Sequence, residues 1–110
     1  MASLLDDLAA VIATKRAADP STSYVASLNA KGLNKILEKV GEEAIEVILA
    51  AKEVDRAEHG TDDVIHEVAD LIFHTLVMLD RLGISHNAVL DVLASRQGMS
   101  GLDEKASRNQ

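Results

Sequence analysis

Across residues 61–82 apolar side chains occupy nearly every side of a helical wheel: Val64, Ile65, Val68, Leu71, Ile72, Phe73, Leu76, Val77, Met78, Leu79 and Leu82. A helix that is apolar almost all round has to be covered almost all round. Its polar residues are confined mainly to one narrow stripe, Asp63, Glu67, Asp70, His74 and Arg81, with His66 and Asp80 beside it. So many ionisable groups rule out a membrane span, so the cover must be protein. A chain of 110 residues makes one domain and has few helices to spare for that cover. The expectation is therefore an all-α helical bundle of four to five helices, its core completed by dimerisation as a homodimer or a higher homo-oligomer.

The other segments agree with an all-α reading. Aromatic residues make up 2% of the chain, Tyr24 and Phe73 only. The core must then be aliphatic, which suits packed helices better than sheets. Leu4, Leu5, Leu8, Val11 and Ile12 recur at helical spacing and predict a first helix over residues 4–18. Asp19-Pro20-Ser21 turns the chain, and Thr22 or Ser23 can cap a short helix to about residue 29. A long helix is predicted over residues 31–56. Leu33, Leu37, Val40, Ala44, Val47 and Ala51 fall on one side of it, and Lys35, Lys39, Glu42, Glu46 and Glu53 on the other. His59-Gly60 breaks it; Thr61 is the expected cap of the apolar helix, which Gly83 ends. Ser85 caps a last helix to about residue 97. Residues 1–97 are thus expected to form the domain and residues 98–110, rich in glycine and charge, a flexible tail.

The formal net charge of −7 argues against nucleic-acid backbone as a partner. It permits a nucleotide, since a divalent cation can sit between protein carboxylates and phosphates. With no cysteine there is no disulfide, no thiolate metal site and no cysteine nucleophile. The first residues lack a basic segment followed by an apolar run, so a cytoplasmic protein is expected. No Ser-His-Asp arrangement and no glycine-rich phosphate loop stands out.

Two acidic clusters carry the chemistry, Glu42-Glu43-x-x-Glu46 and Glu67-x-x-Asp70. Glu43 with Glu46, and Glu67 with Asp70, are helical neighbours, and antiparallel packing of the two helices would make all of them converge. Carboxylates that close repel unless they share protons, meet cations or bind a hard divalent metal; oxygen donors favour magnesium over zinc. Taken alone, Glu42, Glu43 and Glu46 read as a solvated face opposite the apolar stripe, paired with Lys35 and Lys39. Glu67 and Asp70 lie in a helix expected to be buried, where carboxylates need partners. His66, Asp70 and His74 are spaced four apart, which also suits a zinc site, but no further nitrogen or sulfur ligand lies nearby. The commoner role for His74 is a hydrogen bond in the core or site wall. An inert helical dimer serving as an interaction module is the rival to an enzyme; such a bundle has no reason to bury Glu67 and Asp70.

The two acidic strings together resemble the magnesium motif of the all-α nucleotide pyrophosphohydrolases, the MazG-like group. Within that group Ser23-Tyr24, Lys31-Gly32, Lys39-Val40-Gly41-Glu42-Glu43, Ala69-Asp70-Leu71, His74 and Ser100-Gly101-Leu102 with Glu104-Lys105 resemble the phosphoribosyl-ATP pyrophosphatases. The resemblance implies hydrolysis of phosphoribosyl-ATP to phosphoribosyl-AMP and pyrophosphate, the second step of histidine biosynthesis. It implies Mg2+ held by Glu43, Glu46, Glu67 and Asp70, with Glu42 as a further ligand or as the base that orients water. Lys31, Lys35, Lys39, His74, Arg96, Ser100, Gly101 and Lys105 become the expected substrate contacts, the tail with Arg108 folding over the substrate. Where the family often has Tyr before the histidine, this chain has Phe73. The acidic motif would serve another nucleoside triphosphate equally well, so base selectivity stays open.

Overall fold

A computed structural model describes residues 3–56 and 60–97. Among these residues there are five helices and no strand: α1 (Leu4–Lys15), α2 (Tyr24–Lys31), α3 (Leu33–Asp55), α4 (Asp62–Leu82) and α5 (His86–Ser95). α1 starts at a capping box in which the Ser3 side chain accepts from the Asp6 amide and Asp6 reaches back to the Ser3 amide. It stops at Lys15, short of the expected residue 18. The Asp19 carbonyl takes the Thr22 and Ser23 amides and its side chain takes Ser21, so the chain is already turning. The residue before Pro20 is also disfavoured in helical conformation.

Ser23, rather than Thr22, caps α2 by accepting from the Ala26 amide. α2 runs on to Lys31, and α3 begins at Leu33 because Gly32 has a φ of +103°, a conformation that side chains resist. Thr61 sits at the cap of α4 without the expected side-chain bond; its backbone is already near-helical at φ −81°, ψ −11°. Gly83 at φ +71° ends α4 and Ser85 caps α5.

α3 and α4 pack along each other as the main helix pair, with α1 against α4 and α2 against α3. Ile12, Leu28, Ile36 and Val77 are the fully buried side chains, flanked by Val25 and Leu76. Arg16 donates to the Asp80 carbonyl and Arg81 to the Asn29 carbonyl, tying α1 and α2 to the end of α4. Arg81 therefore closes a helix–helix contact.

The apolar stripe of α3 is rotated from the expected one. Ile36 and Ala50 are buried and Lys39, Val40, Glu43, Val47 and Val54 half-buried, whereas Leu37 and Ala51 are exposed. Glu43 lies within that packed face rather than opposite it. α4 is buried only in its second half, at His74, Leu76 and Val77. Ile65, Val68 and Ile72 remain 60%, 37% and 45% exposed, as do Ile45 and Ile48 of α3 at 58% and 60%. At about 100° per residue, Leu37 and Ile48 share one side of the α3–α4 pair with Val68 and Ile72, and Glu42, Glu46 and Asp70 take the other.

Candidate active site

Glu43 projects from the packed face of α3 and Glu67 from α4 toward it, with Asp70 at their exposed edge. Glu43, Glu67 and Asp70 each bring one carboxylate oxygen to within 4.8 Å of the others. Glu43 and Glu67 are half-buried and Asp70 is exposed, so the cluster opens to solvent on one side. Partial burial, with Glu46, Glu43 and Asp70 as like-charged neighbours, holds the Glu67 carboxyl above the usual glutamate range. Beside it, Glu46, Leu49, Ala50, Glu53, Asp63 and Glu67 line a hollow of about 310 Å³.

The cations gather on the N-terminal side of Glu43. Lys39 Nζ lies 3.2 Å from Glu42 and 3.7 Å from Glu43. The Lys39 hydrogen bond pulls the Glu42 carboxyl below its usual range, and the same bond raises Lys39. Lys35 Nζ is 3.4 Å from Glu38, one turn earlier, and Lys31 stands exposed in the last turn of α2.

The structure thus brings together Glu43, Glu67 and Asp70, with Glu46 at their flank. Glu42 turns toward Lys39, outside the cluster of three. His74 is buried, at 5% exposure. Its Nδ1 is 2.8 Å from the Asp70 carbonyl oxygen and its Nε2 is 2.8 Å from the Tyr24 hydroxyl. A carbonyl only accepts, so Nδ1 carries the proton and Nε2 accepts from Tyr24. His66 likewise turns to a backbone oxygen, Asp62 O at 2.8 Å, and no histidine among the described residues enters the acidic cluster. The zinc arrangement of His66, Asp70 and His74 is therefore not formed. Arg96 stands at the C-cap of α5, while Ser100, Gly101, Lys105 and Arg108 lie outside the described residues.

Sequence spacing did not single out Tyr24. It is one of two aromatic residues in the chain, and the Ser23 cap sets it at the first position of α2. Its ring stacks on Phe73 at 6.3 Å and meets His74 edge-on at 5.7 Å. Partial burial raises its hydroxyl above the ordinary value, with Lys39 and Glu43 next among the influences.

Three carboxylates with converging oxygens, and no nitrogen or sulfur donor among them, form a donor set for a hard divalent cation. Their mutual repulsion at Glu67 is the strain such a cation relieves. A comparison with protein families matches the chain to phosphoribosyl-ATP pyrophosphohydrolase over residues 5–97. That span includes the acidic cluster, the lysines before it and the Tyr24–His74 contact. The chain belongs to the phosphoribosyl-ATP pyrophosphohydrolase family.

Proposed function

We propose that this chain hydrolyses phosphoribosyl-ATP to phosphoribosyl-AMP and pyrophosphate, as the second step of histidine biosynthesis, with Mg2+ as its cofactor and in the cytoplasm. The observation that carries the proposal is the convergence of Glu43, Glu67 and Asp70 on one point between α3 and α4. Those three residues would hold the ion, with Glu46 beside them. A bound magnesium ion supplies positive charge to the triphosphate and lowers the pKa of a water molecule.

The chain's own residues do the rest. Cleavage of the bridge between the α- and β-phosphates forms one new P–O bond to water and breaks one, releasing pyrophosphate; the proton of the attacking water passes to a site carboxylate. Glu42, held low by Lys39, is poorly suited to accept it. Glu46, exposed and beside Glu67, is the proposed acceptor. Lys39 can turn from Glu42 and Glu43 to the phosphate oxygens where charge grows. Lys35 and Lys31 extend the same positive edge toward the ribosyl phosphate, with Arg96, Ser100, Gly101 and Lys105 as further contacts. His74 enters through its neighbours, since both of its ring nitrogens are engaged.

A second copy of the chain is the proposed cover for the apolar side of the α3–α4 pair, where Ile48, Ile65 and Ile72 are exposed. Light scattering that reports a monomer at low micromolar concentration would refute this. No helix among the described residues is long and apolar enough to cross a membrane.

The activity is tested by incubating the chain with Mg2+ and phosphoribosyl-ATP, ATP or another nucleoside triphosphate, and measuring pyrophosphate. Preferred release from phosphoribosyl-ATP is expected. Faster release from another triphosphate would make the chain a different pyrophosphohydrolase. Silence on every nucleotide would leave a helical interaction module.

A further inference from the structure

Tyr24 is the residue that the acidic motif does not explain. It opens α2, yet its hydroxyl reaches across to α4 and donates to His74 Nε2 at 2.8 Å. His74 passes the connection on, donating from Nδ1 to the Asp70 carbonyl at 2.8 Å. That carbonyl belongs to one of the three clustered acids, a turn beyond Glu67. The Asp70 oxygen can only accept, so Nδ1 donates to it; in the neutral imidazole Nε2 then accepts from Tyr24, and neither ring nitrogen has a proton or lone pair to spare. Phe73 and His74, neighbours on α4, both contact the phenol ring, which stays 51% exposed on its other side.

The bond joins α2 to α4, two elements separated in sequence by α3. Glu43 comes from α3, which packs on α2; Glu67 and Asp70 come from α4. A cation-binding cluster built across two helices is only as well formed as their relative placement, and the bonds behind the ligands set that placement. Tyr24 also has the charged edge of the site beside it, since Lys39 and Glu43 both act on its hydroxyl.

We propose that Tyr24 is a positioning residue for the acidic cluster, acting through His74 to hold the Glu67–Asp70 turn of α4 against Glu43 of α3. Tyr24 touches neither the cation nor the reacting phosphate; it sets how well three carboxylates can close on one ion. The kinetic side rests on the pyrophosphohydrolase reading, while the cation-binding side does not.

The test measures binding of Mn2+ alone, by electron paramagnetic resonance, and steady-state pyrophosphate release from phosphoribosyl-ATP with Mg2+. The variants are Tyr24→Phe, which keeps the ring and its stack, and His74→Asn, which keeps a donor for the Asp70 carbonyl but falls short of Tyr24. In each, Mn2+ is expected to bind roughly tenfold more weakly, in the range found when a partner behind a metal ligand is lost. At saturating Mg2+, kcat should fall while the KM for the nucleotide stays within about twofold, the mark of a loss confined to the transition state. The double variant should be no worse than either single one, because both break the same link. Wild-type Mn2+ affinity in Tyr24→Phe would overturn the proposal. So would an unchanged kcat with a raised KM, which would place the hydroxyl on the substrate, and so would additive losses in the double variant. If the wild-type chain releases no pyrophosphate from any nucleotide, the functional reading fails, yet the Mn2+ measurements still decide the role of Tyr24.

Discussion

Asp6 on α1 and Glu67 on α4 are both half-buried carboxylates on helices, and their surroundings are opposite. Asp6 receives the Ser3 amide at 3.1 Å, His86 Nε2 at 2.7 Å and Asn87 Nδ2 at 3.4 Å. The Ser3 bond above all, then His86, holds its carboxyl below the usual range. Glu67 meets Glu46, Glu43 and Asp70 instead, and with partial burial they hold it above. An acid surrounded by donors ties elements together, here α1 to α5. An acid surrounded by acids weakens the fold that carries it and is expected where function requires it. The contact of α1 with α5 is therefore a joint, and the centre of the α3–α4 pair is the proposed site.

The largest expected effect is on turnover. Glu67→Gln and Asp70→Asn each remove one anionic ligand. A metal ion contributes several kcal/mol to the transition state. At tenfold per about 1.4 kcal/mol, the loss should approach three orders of magnitude. Asp6→Asn should leave kcat near wild type. Pyrophosphate assays on the three variants check this, and wild-type activity in both site variants would remove the metal assignment.

Next in size is stabilisation by the ion. Mg2+ at roughly a hundredfold excess over Kd should add about 2.7 kcal/mol. For a domain of this size that is a rise in Tm on the order of 10 °C. The rise should disappear in Glu67→Gln and persist in Asp6→Asn. A melting curve indifferent to millimolar Mg2+ would mean the three carboxylates are not a preformed site.

Without metal the two variants should move in opposite directions. Asp6→Asn removes the reciprocal half of a capping box and the partner of His86, and should lower Tm by a few degrees. Glu67→Gln relieves like-charge repulsion and should raise Tm, again by a few degrees. Equal losses in chelator would show that Glu67 is held by donors after all.

The smallest effect is the pH dependence of that gain. The folded state disfavours ionised Glu67, so the repulsion is present at neutral pH, above its raised pKa. It fades as pH falls through that pKa and is absent once the unfolded chain is protonated too. The advantage of Glu67→Gln over wild type in chelator should therefore shrink between neutral pH and about pH 4, near the ordinary glutamate value. For Asp6 the sign is reversed. Its lowered pKa contributes stability above the ordinary aspartate value and loses it on acidification. Melting scans at stepped pH separate the two.

The helix plan was legible in the sequence because its signals are local. The Ser23 and Ser85 caps and the Gly83 stop can be read from the residues alone. All three act within one turn of their own residue. Thr61 failed as a side-chain cap because its backbone had already entered the helical region. Of the apolar strip that spacing picks out on α3, Leu33, Val40, Ala44 and Val47 are half-buried, while Leu37 and Ala51 at its edge are exposed; packing adds Ile36 and Ala50 on the other edge and draws Glu43 inward. Lys39 meets Glu42 and Glu43 within α3 itself, contacts that i,i+3 and i,i+4 spacing already allows.

The identity and helical spacing of the acids follow from the order of residues alone, since i and i+3 positions on any helix are neighbours. Which acids meet across two helices depends on how those helices roll against each other, and roll is set by the packing of the whole apolar face. That is why Glu67 and Asp70 could be paired from the sequence but their approach to Glu43 could not be measured from it. It is also why Tyr24, fifty residues from His74, joined the site only when α2 was laid against α3 and α4.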